Sequence, residues 1–178
     1  MEKNKLKNLE EYKIRKVEVR DAGKMIMYLN KISTESDNLT FGEGEMSITL
    51  KAEIKFIEKS LKSNNQYFVL AEYNGEIIGN LSFSSGIKPR NRHQGEFGVS
   101  VLKKYWGNGV GYVLISGLIK WAREDKIITK INLQVKSDNN KGIELYERMG
   151  FEKEGLIKRG FLIDGKYYDL YHMGLIIE

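Results

Sequence analysis

The apolar positions of residues 96–125, EFGVSVLKKYWGNGVGYVLISGLIKWARED, change their period partway along. Phe97, Val99 and Val101 alternate as in a strand. Val110, Val113, Leu114, Leu118, Trp121 and Ala122 then recur at three- and four-residue steps, as on one face of a helix. Gly107, Gly109 and Gly111 stand where one pattern gives way to the other. Upstream, β-branched residues over 12–20 predict a strand, and Asp21 is placed to cap a helix running to about Ile32 with Met25, Ile26 and Leu29 on one face. Residues 49–62 predict a second helix with Leu50, Ile54, Ile57 and Leu61 on its core side. Segments 66–73 and 76–84 flank Asn74-Gly75, the signature of a type I′ hairpin. Downstream, 130–135 alternates as a strand. NNKGIELYERM reads as a short helix capped by Asp138 or Asn139 and stopped at Gly150. Segments 151–163 and 166–177 form a long hairpin turned at Asp164-Gly165.

The element order is therefore β-α-α-β-β-β-α-β-α-β-β. It predicts an α/β chain with a single mixed sheet and helices on both faces. At 178 residues, with no internal repeat, the expectation is one domain over 1–178, its polar first ten residues a loose extension. Composition narrows the functional classes. Zero cysteines exclude disulfides, thiolate metal sites and a cysteine nucleophile, and fit a reducing cytoplasm. No apolar run approaches the ~18 residues of a membrane span, and the start of the chain lacks the apolar core of a secretory leader. The net charge of +5 comes without a long Lys/Arg run, which argues against nucleic acid as partner. His93 and His172 stand far apart with no HExxH, so no metal is expected.

A strand that feeds a glycine-rich turn at a helix N-terminus can bind phosphate. The first helical N–H groups lack intrahelical partners, the helix dipole favours an anion there, and glycine lets the backbone approach closely. GxGxG alone fits equally a tight turn that needs positive φ. A dinucleotide-binding unit fits poorly, because the spacing is not GxGxxG and too little chain follows.

A second motif, Asn139–Phe151 as NNKGIELYERMGF, follows its strand as the glycine turn follows the earlier one. Strand, GNGVG turn, helix, strand and Asn-x-Lys-Gly-Ile-x-Leu-Tyr-x-x-x-Gly-Phe together resemble the GNAT superfamily of acetyl-coenzyme A-dependent N-acetyltransferases over about residues 72–173. The resemblance implies several roles. The family's loop pattern Gln/Arg-x-x-Gly-x-Gly/Ala falls on Trp106, Gly107, Asn108, Gly109, Val110 and Gly111, followed by Tyr112, with Trp106 where Gln or Arg is usual. The loop would hold the coenzyme diphosphate, and the pantetheine arm would lie along Val99, Ser100 and Val101. Asn139 and Lys141 would meet the coenzyme, and Tyr146 would protonate the departing thiolate. Taken without the resemblance, Tyr146 reads first as a helix aromatic packed on the sheet, since Leu145, Tyr146 and Met149 share a face.

Direct attack of an amine on a thioester also needs a base, and Glu96 is the candidate, directly or through water. His93 and His172 are weaker ones. The loop between the first two helices carries Glu35, Asp37, Glu43 and Glu45 with no Lys or Arg in 33–46, which points to a cationic amine or a peptide N-terminus as acceptor, or to a solvated loop. The tyrosine-rich last hairpin offers a second wall for the acceptor, and its exposed edge a surface for a homodimer. The expected function is transfer of acetyl from acetyl-CoA to a primary amine. The alternative is a non-catalytic acyl-CoA-sensing domain of the same fold.

Overall fold

The computed structural model describes Asn4–Lys5 and residues 11–178. The strands are β1 (Asn4–Lys5), β2 (Glu11–Lys16), β3 (Gln66–Tyr73), β4 (Glu76–Ser85), β5 (Gln94–Val101), β6 (Lys130–Lys136), β7 (Glu152–Ile163) and β8 (Lys166–Ile176). The helices are α1 (Ala22–Ser33), α2 (Leu50–Lys62), α3 (Val110–Asp125) and α4 (Asn140–Arg148). Apart from β1, this is the expected order. Asn4 and Lys5 pair with Tyr12 and Glu11, so part of the expected loose extension is a strand; the rest of the first ten residues lies outside the described ones. Contacts divide the chain into two compact units, Met1–Ser84 with Gly98–Lys120 and Ser85–Phe97 with Trp121–Glu178.

In the first unit the strand order is β1-β2-β3-β4-β5. β2 runs antiparallel to β3, and β3 turns into β4 at Asn74 (φ +48°) and Gly75 (φ +78°), with Tyr73 opposite Glu76. Leu70, Ile78, Leu81 and Phe83 are fully buried sheet positions, as are Met25 and Ile32 of α1 and Ile57 of α2. β2 ends at Lys16, earlier than expected, because Val19–Asp21 is a 3-10 turn. Asp21 stands at the N-cap of α1 but spends its carboxylate elsewhere. It accepts two bonds from Arg15 (2.7 and 2.8 Å) and the Glu18 N–H (2.8 Å), while Arg15 Nε also reaches Glu72 (2.9 Å). Burial would raise the Asp21 carboxyl, yet Arg15 and the Glu18 N–H hold it below its ordinary range. In α2 the buried face is Glu53, Ile57 and Ser60, whereas Leu50 and Leu61, expected in the core, are exposed. Thr49 caps that helix by accepting the Ala52 N–H.

In the second unit the order is β5-β6-β8-β7. β6 pairs parallel with β5 and antiparallel with β8, and β7 forms the edge. The last hairpin turns at Asp164 (φ +49°) and Gly165 (φ +77°), both in the left-handed region as a type I′ turn requires. α4 ends in a Schellman turn. Gly150 at φ +91° donates to the Glu147 carbonyl (3.0 Å), and the Phe151 N–H reaches back to the Tyr146 carbonyl (3.0 Å). That turn sets Phe151 beside Tyr146.

Candidate active site

The first unit carries the strand, turn and helix that the sequence singled out. Leu102 N–H donates to Ile78 C=O at one end of β5, and Gly86 N–H to Gln94 C=O at the other. These two bonds fix an antiparallel β4–β5 ladder in which the even-numbered residues of β5 direct their backbone groups to β4 and the odd-numbered ones away from it. The ladder of β5 with β6 covers only Gln94, Glu96 and Gly95 opposite Lys130, Asn132 and Ile131. The backbone groups of Val99 and Val101 therefore face no strand partner among the described residues. Ser100 differs from the expectation: its backbone points to β4, and its Oγ donates to Asn80 Oδ1 (2.7 Å). Because that uses the single hydroxyl proton, Tyr28 must donate to Ser100 Oγ (2.8 Å). Tyr28, buried on α1, is pushed well above the ordinary phenol range, first by desolvation.

After β5 the chain makes a 3-10 turn, Lys103–Tyr105, and enters the glycine loop. Gly107 (φ +73°) and Gly109 (φ +77°) occupy the left-handed region, whereas Gly111 belongs to the first turn of α3. A Cβ built on Gly109 would meet nothing within 4 Å, so backbone conformation, with open space above it, accounts for glycine there. The Gly109 carbonyl accepts the Val113 N–H (3.0 Å), which makes Gly109 the N-cap and leaves the Val110 and Gly111 N–H groups without intrahelical partners. The loop is also stiffened by side chains. Trp106 Nε1–H donates to the Val101 carbonyl (2.6 Å), and Asn108 Nδ2 to the carbonyls of Tyr105 (3.0 Å) and Trp106 (3.2 Å). The half-exposed Tyr112 follows on α3.

The second unit carries the expected acid and base. Phe97, Tyr146 and Phe151 pack as three mutually tilted rings with centroids 5.8–6.2 Å apart. The ring of Tyr146 is thus held, while its hydroxyl makes no hydrogen bond among the described residues. Burial pushes this phenol up to about 12. Since Phe97 faces Tyr146, its strand neighbour Glu96 projects from the opposite face. There Glu96, exposed, accepts from Gln134 Nε2 (3.3 Å). Asn139 caps α4 by accepting the Gly142 N–H (3.1 Å), and Lys141 is exposed in the first turn.

Other expected groups have local tasks. Glu35 accepts the Lys103 N–H (2.6 Å) at the start of the 3-10 turn, and Glu45 accepts the Gly42 N–H (2.8 Å) within its own loop. Asp37 and Glu43 make no side-chain hydrogen bond among the described residues. Two hairpin tyrosines are covered by cations: Tyr168 by Lys136 (4.2 Å) and Lys166 (4.8 Å), and Tyr167 by Arg159 (4.8 Å). The His93 carbonyl accepts the Thr129 N–H, and His172 lies 3.6 Å from Glu154. Sequence reasoning missed Phe97 and Phe151 as the supports of Tyr146, and Tyr28 as the partner of Ser100. Phe151 was signalled by the Gly-Phe that closes the second motif. Tyr28 carried no local signal.

The chain is similar to known acetyltransferases in sequence and in fold. A model of the Acetyltransferase (GNAT) family matches residues 31–151. The L-amino acid N-acetyltransferase AaaT of Escherichia coli is 31% identical over 108 residues, which are 61% of this chain and 67% of that protein. The E. coli [ribosomal protein uS5]-alanine N-acetyltransferase is 32% identical over 53% of this chain, a match spanning about half (48%) of that relative. A GNAT-family acetyltransferase from Streptococcus pneumoniae superimposes with a TM-score of 0.90 at 33% identity, covering 94% of this chain and all of that one. Salmonella typhimurium yncA, solved with its cofactor acetyl-CoA, shares the fold with a TM-score of 0.82 at 21% identity, over 94% of both chains. The family match over most of the chain, on a fold with this loop and strand, makes the protein a member of the GNAT family of acyl-CoA-dependent N-acetyltransferases.

Proposed function

We propose that this enzyme transfers the acetyl group of acetyl-CoA directly to the α-amino group of an amino acid or of a peptide N-terminus. The coenzyme diphosphate binds the backbone of Gly107, Gly109, Val110 and Gly111, and its arm lies along the edge at Val99 and the Val101 N–H, the Val101 carbonyl being held by the Trp106 indole. Those donors suit an anion, and an unpaired strand edge suits an extended amide-bearing chain. Asn139 Nδ2 and Lys141 are further donors for the coenzyme. Tyr146 gives its proton to the departing thiolate, and Glu96, directly or through water, takes one from the amine.

The observation that carries this reading is the pair that flanks β5, Tyr146 of α4 against Phe97 and Glu96 of the strand itself. An unbonded phenol stands on one face and a carboxylate on the other, where the ladder with β6 ends. That arrangement suits a nucleophile and a leaving group on opposite sides of one carbonyl, with no acyl-enzyme between them. The amine class follows from its chemistry and from two relatives. The α-amine of a peptide N-terminus, with a pKa of about 8, is roughly one quarter neutral at pH 7.5, whereas a lysine-like amine at about 10.4 is neutral in roughly one molecule in 800. AaaT and the uS5-alanine enzyme are both named for α-amines. A cationic acceptor would have to rely on Asp37 and Glu43, since Glu35 and Glu45 are engaged by backbone N–H groups.

The test is acetyl-CoA consumption, read as released thiol, across L-amino acids, peptides with free N-termini, polyamines and aminoglycosides. The expected result is turnover of α-amines with intersecting double-reciprocal plots. Turnover of polyamines or aminoglycosides alone would overturn the acceptor class, and parallel plots would overturn direct attack.

A further inference from the structure

We propose that Trp106 is a positioning residue of the coenzyme site, a latch that locks the end of the coenzyme-bearing strand to the start of the glycine loop. This rests on the reading of residues 107–111 as the diphosphate cradle. The indole N–H bonds the Val101 carbonyl at 2.6 Å, five residues back along the chain, and closes a ring. By ladder parity that carbonyl is on the edge turned away from β4, the edge along which an extended arm would pair. The ring between the two residues is already rigid. Leu102 is buried, its N–H held by Ile78; Tyr105 is buried against Tyr73 and donates its N–H to Leu102; and Glu35 caps the turn through Lys103. The indole closes this ring from the outside, so the strand edge and the cradle move as one piece.

The side chain is not there to fill a core. Trp106 is 42% exposed, yet its one polar atom makes a short, well-formed bond to the main chain. A ring buried for its apolar area would not leave so much of itself in water. The family pattern has Gln or Arg where this chain has Trp; both also carry N–H donors, so Trp106→Gln tests whether a donor without the ring suffices.

Trp106→Phe keeps a ring and removes the donor; Trp106→Gln restores a donor without the ring. Dissociation constants for coenzyme A, KM for acetyl-CoA and kcat are measured for both, beside Gly109→Val as a control and with thermal melts of every variant. Gly109→Val places a Cβ in the open space of the loop at φ +77° and removes most coenzyme affinity. Trp106→Phe raises the dissociation constant and KM about three- to tenfold while kcat moves less than about twofold, the scale of one hydrogen bond. Trp106→Gln recovers most of that loss. An unchanged dissociation constant in Trp106→Phe, equal impairment in Trp106→Gln, or a loss confined to kcat or to melting temperature would overturn the latch. Wild-type coenzyme affinity in Gly109→Val would instead overturn the cradle reading on which it rests.

Discussion

One oxygen separates the two jobs of position 146. Tyr146→Phe keeps the ring that packs on Phe97 at 6.2 Å and on Phe151 at 6.1 Å, and it deletes a hydroxyl that bonds to nothing among the described residues. No buried partner is left unsatisfied, so folding stability should stay within about 0.5 kcal/mol of the parent. Coenzyme affinity should also hold, because the donors proposed for the diphosphate are backbone groups elsewhere. The chemical step loses its proton donor. Removal of a general acid costs roughly 10²–10⁴ in rate, or about 2.7–5.4 kcal/mol of barrier. The phenol is a reluctant acid, pushed up to about 12, so its usefulness depends on a thiolate desolvated beside it, where the sulfur too becomes more basic. The assay is single-turnover thiol release at saturating acetyl-CoA and amine, with a melt and a coenzyme titration on the same preparation. A single-turnover rate within about threefold of the parent, in a variant that folds and binds coenzyme normally, refutes the assignment, since a real acid should cost far more.

Further outcomes follow from the same geometry. With Tyr146 raised to about 12, its neutral form persists through the working range, so activity should rise with pH as the amine deprotonates and then stay level to about pH 10. A fall centred near pH 10 in the rate profile would contradict this. Glu96→Gln should lower kcat/KM for the amine about 10²-fold or more at pH 7, with the loss shrinking as rising pH supplies neutral amine, read from the same thiol assay. In the first unit, Arg15→Met leaves Asp21 buried without its bidentate partner and should cost about 3 kcal/mol, or roughly 6–12 °C in Tm. Because the folded Asp21 carboxyl is depressed, that contribution is present above its unfolded pKa, and the difference between variant and parent should narrow as pH falls through the acid range. Glu53, 4% exposed on α2, shows the opposite sign: desolvation raises its carboxyl, so the cost of burying the charge grows as pH rises out of the ordinary carboxyl range and is complete above the raised value. Glu53→Gln should therefore raise Tm at pH 7, by the equivalent of about 1 kcal/mol, with the gain vanishing near pH 4.

What could be read from the chain without coordinates was whatever local chemistry decides. Asn74-Gly75 and Asp164-Gly165 had to be hairpin turns, since few other pairs take two positive φ values, and Gly150 after an amphipathic stretch had to stop a helix. The rotation of α2 was not legible in the same way. Leu50-Ile54-Ile57-Leu61 and Glu53-Ile57-Ser60 are adjacent stripes that share Ile57. Periodicity reports that a face exists, whereas the helix's packing against its neighbours selects which stripe is covered. Asp21 was read as a cap from its residue type, but a guanidinium from β2, six residues earlier, claims the carboxylate. The glycine loop and Tyr146 were visible because their motifs are contiguous. The partner of Ser100 was not, because Tyr28 lies 72 residues away and meets it only when α1 settles on the sheet. Four acids in one loop looked like a field for a cation. The structure gives Glu35 and Glu45 to backbone N–H groups, a use that composition does not reveal.

The most direct test of the coenzyme path is a backbone amide NMR titration with coenzyme A. The largest shifts are predicted at Val99, Val101, Gly107, Gly109, Val110 and Gly111, with little change at the Arg15–Asp21 cluster on β2 and α1. Saturable binding that leaves the amides of the loop and the β5 edge unmoved would contradict the account.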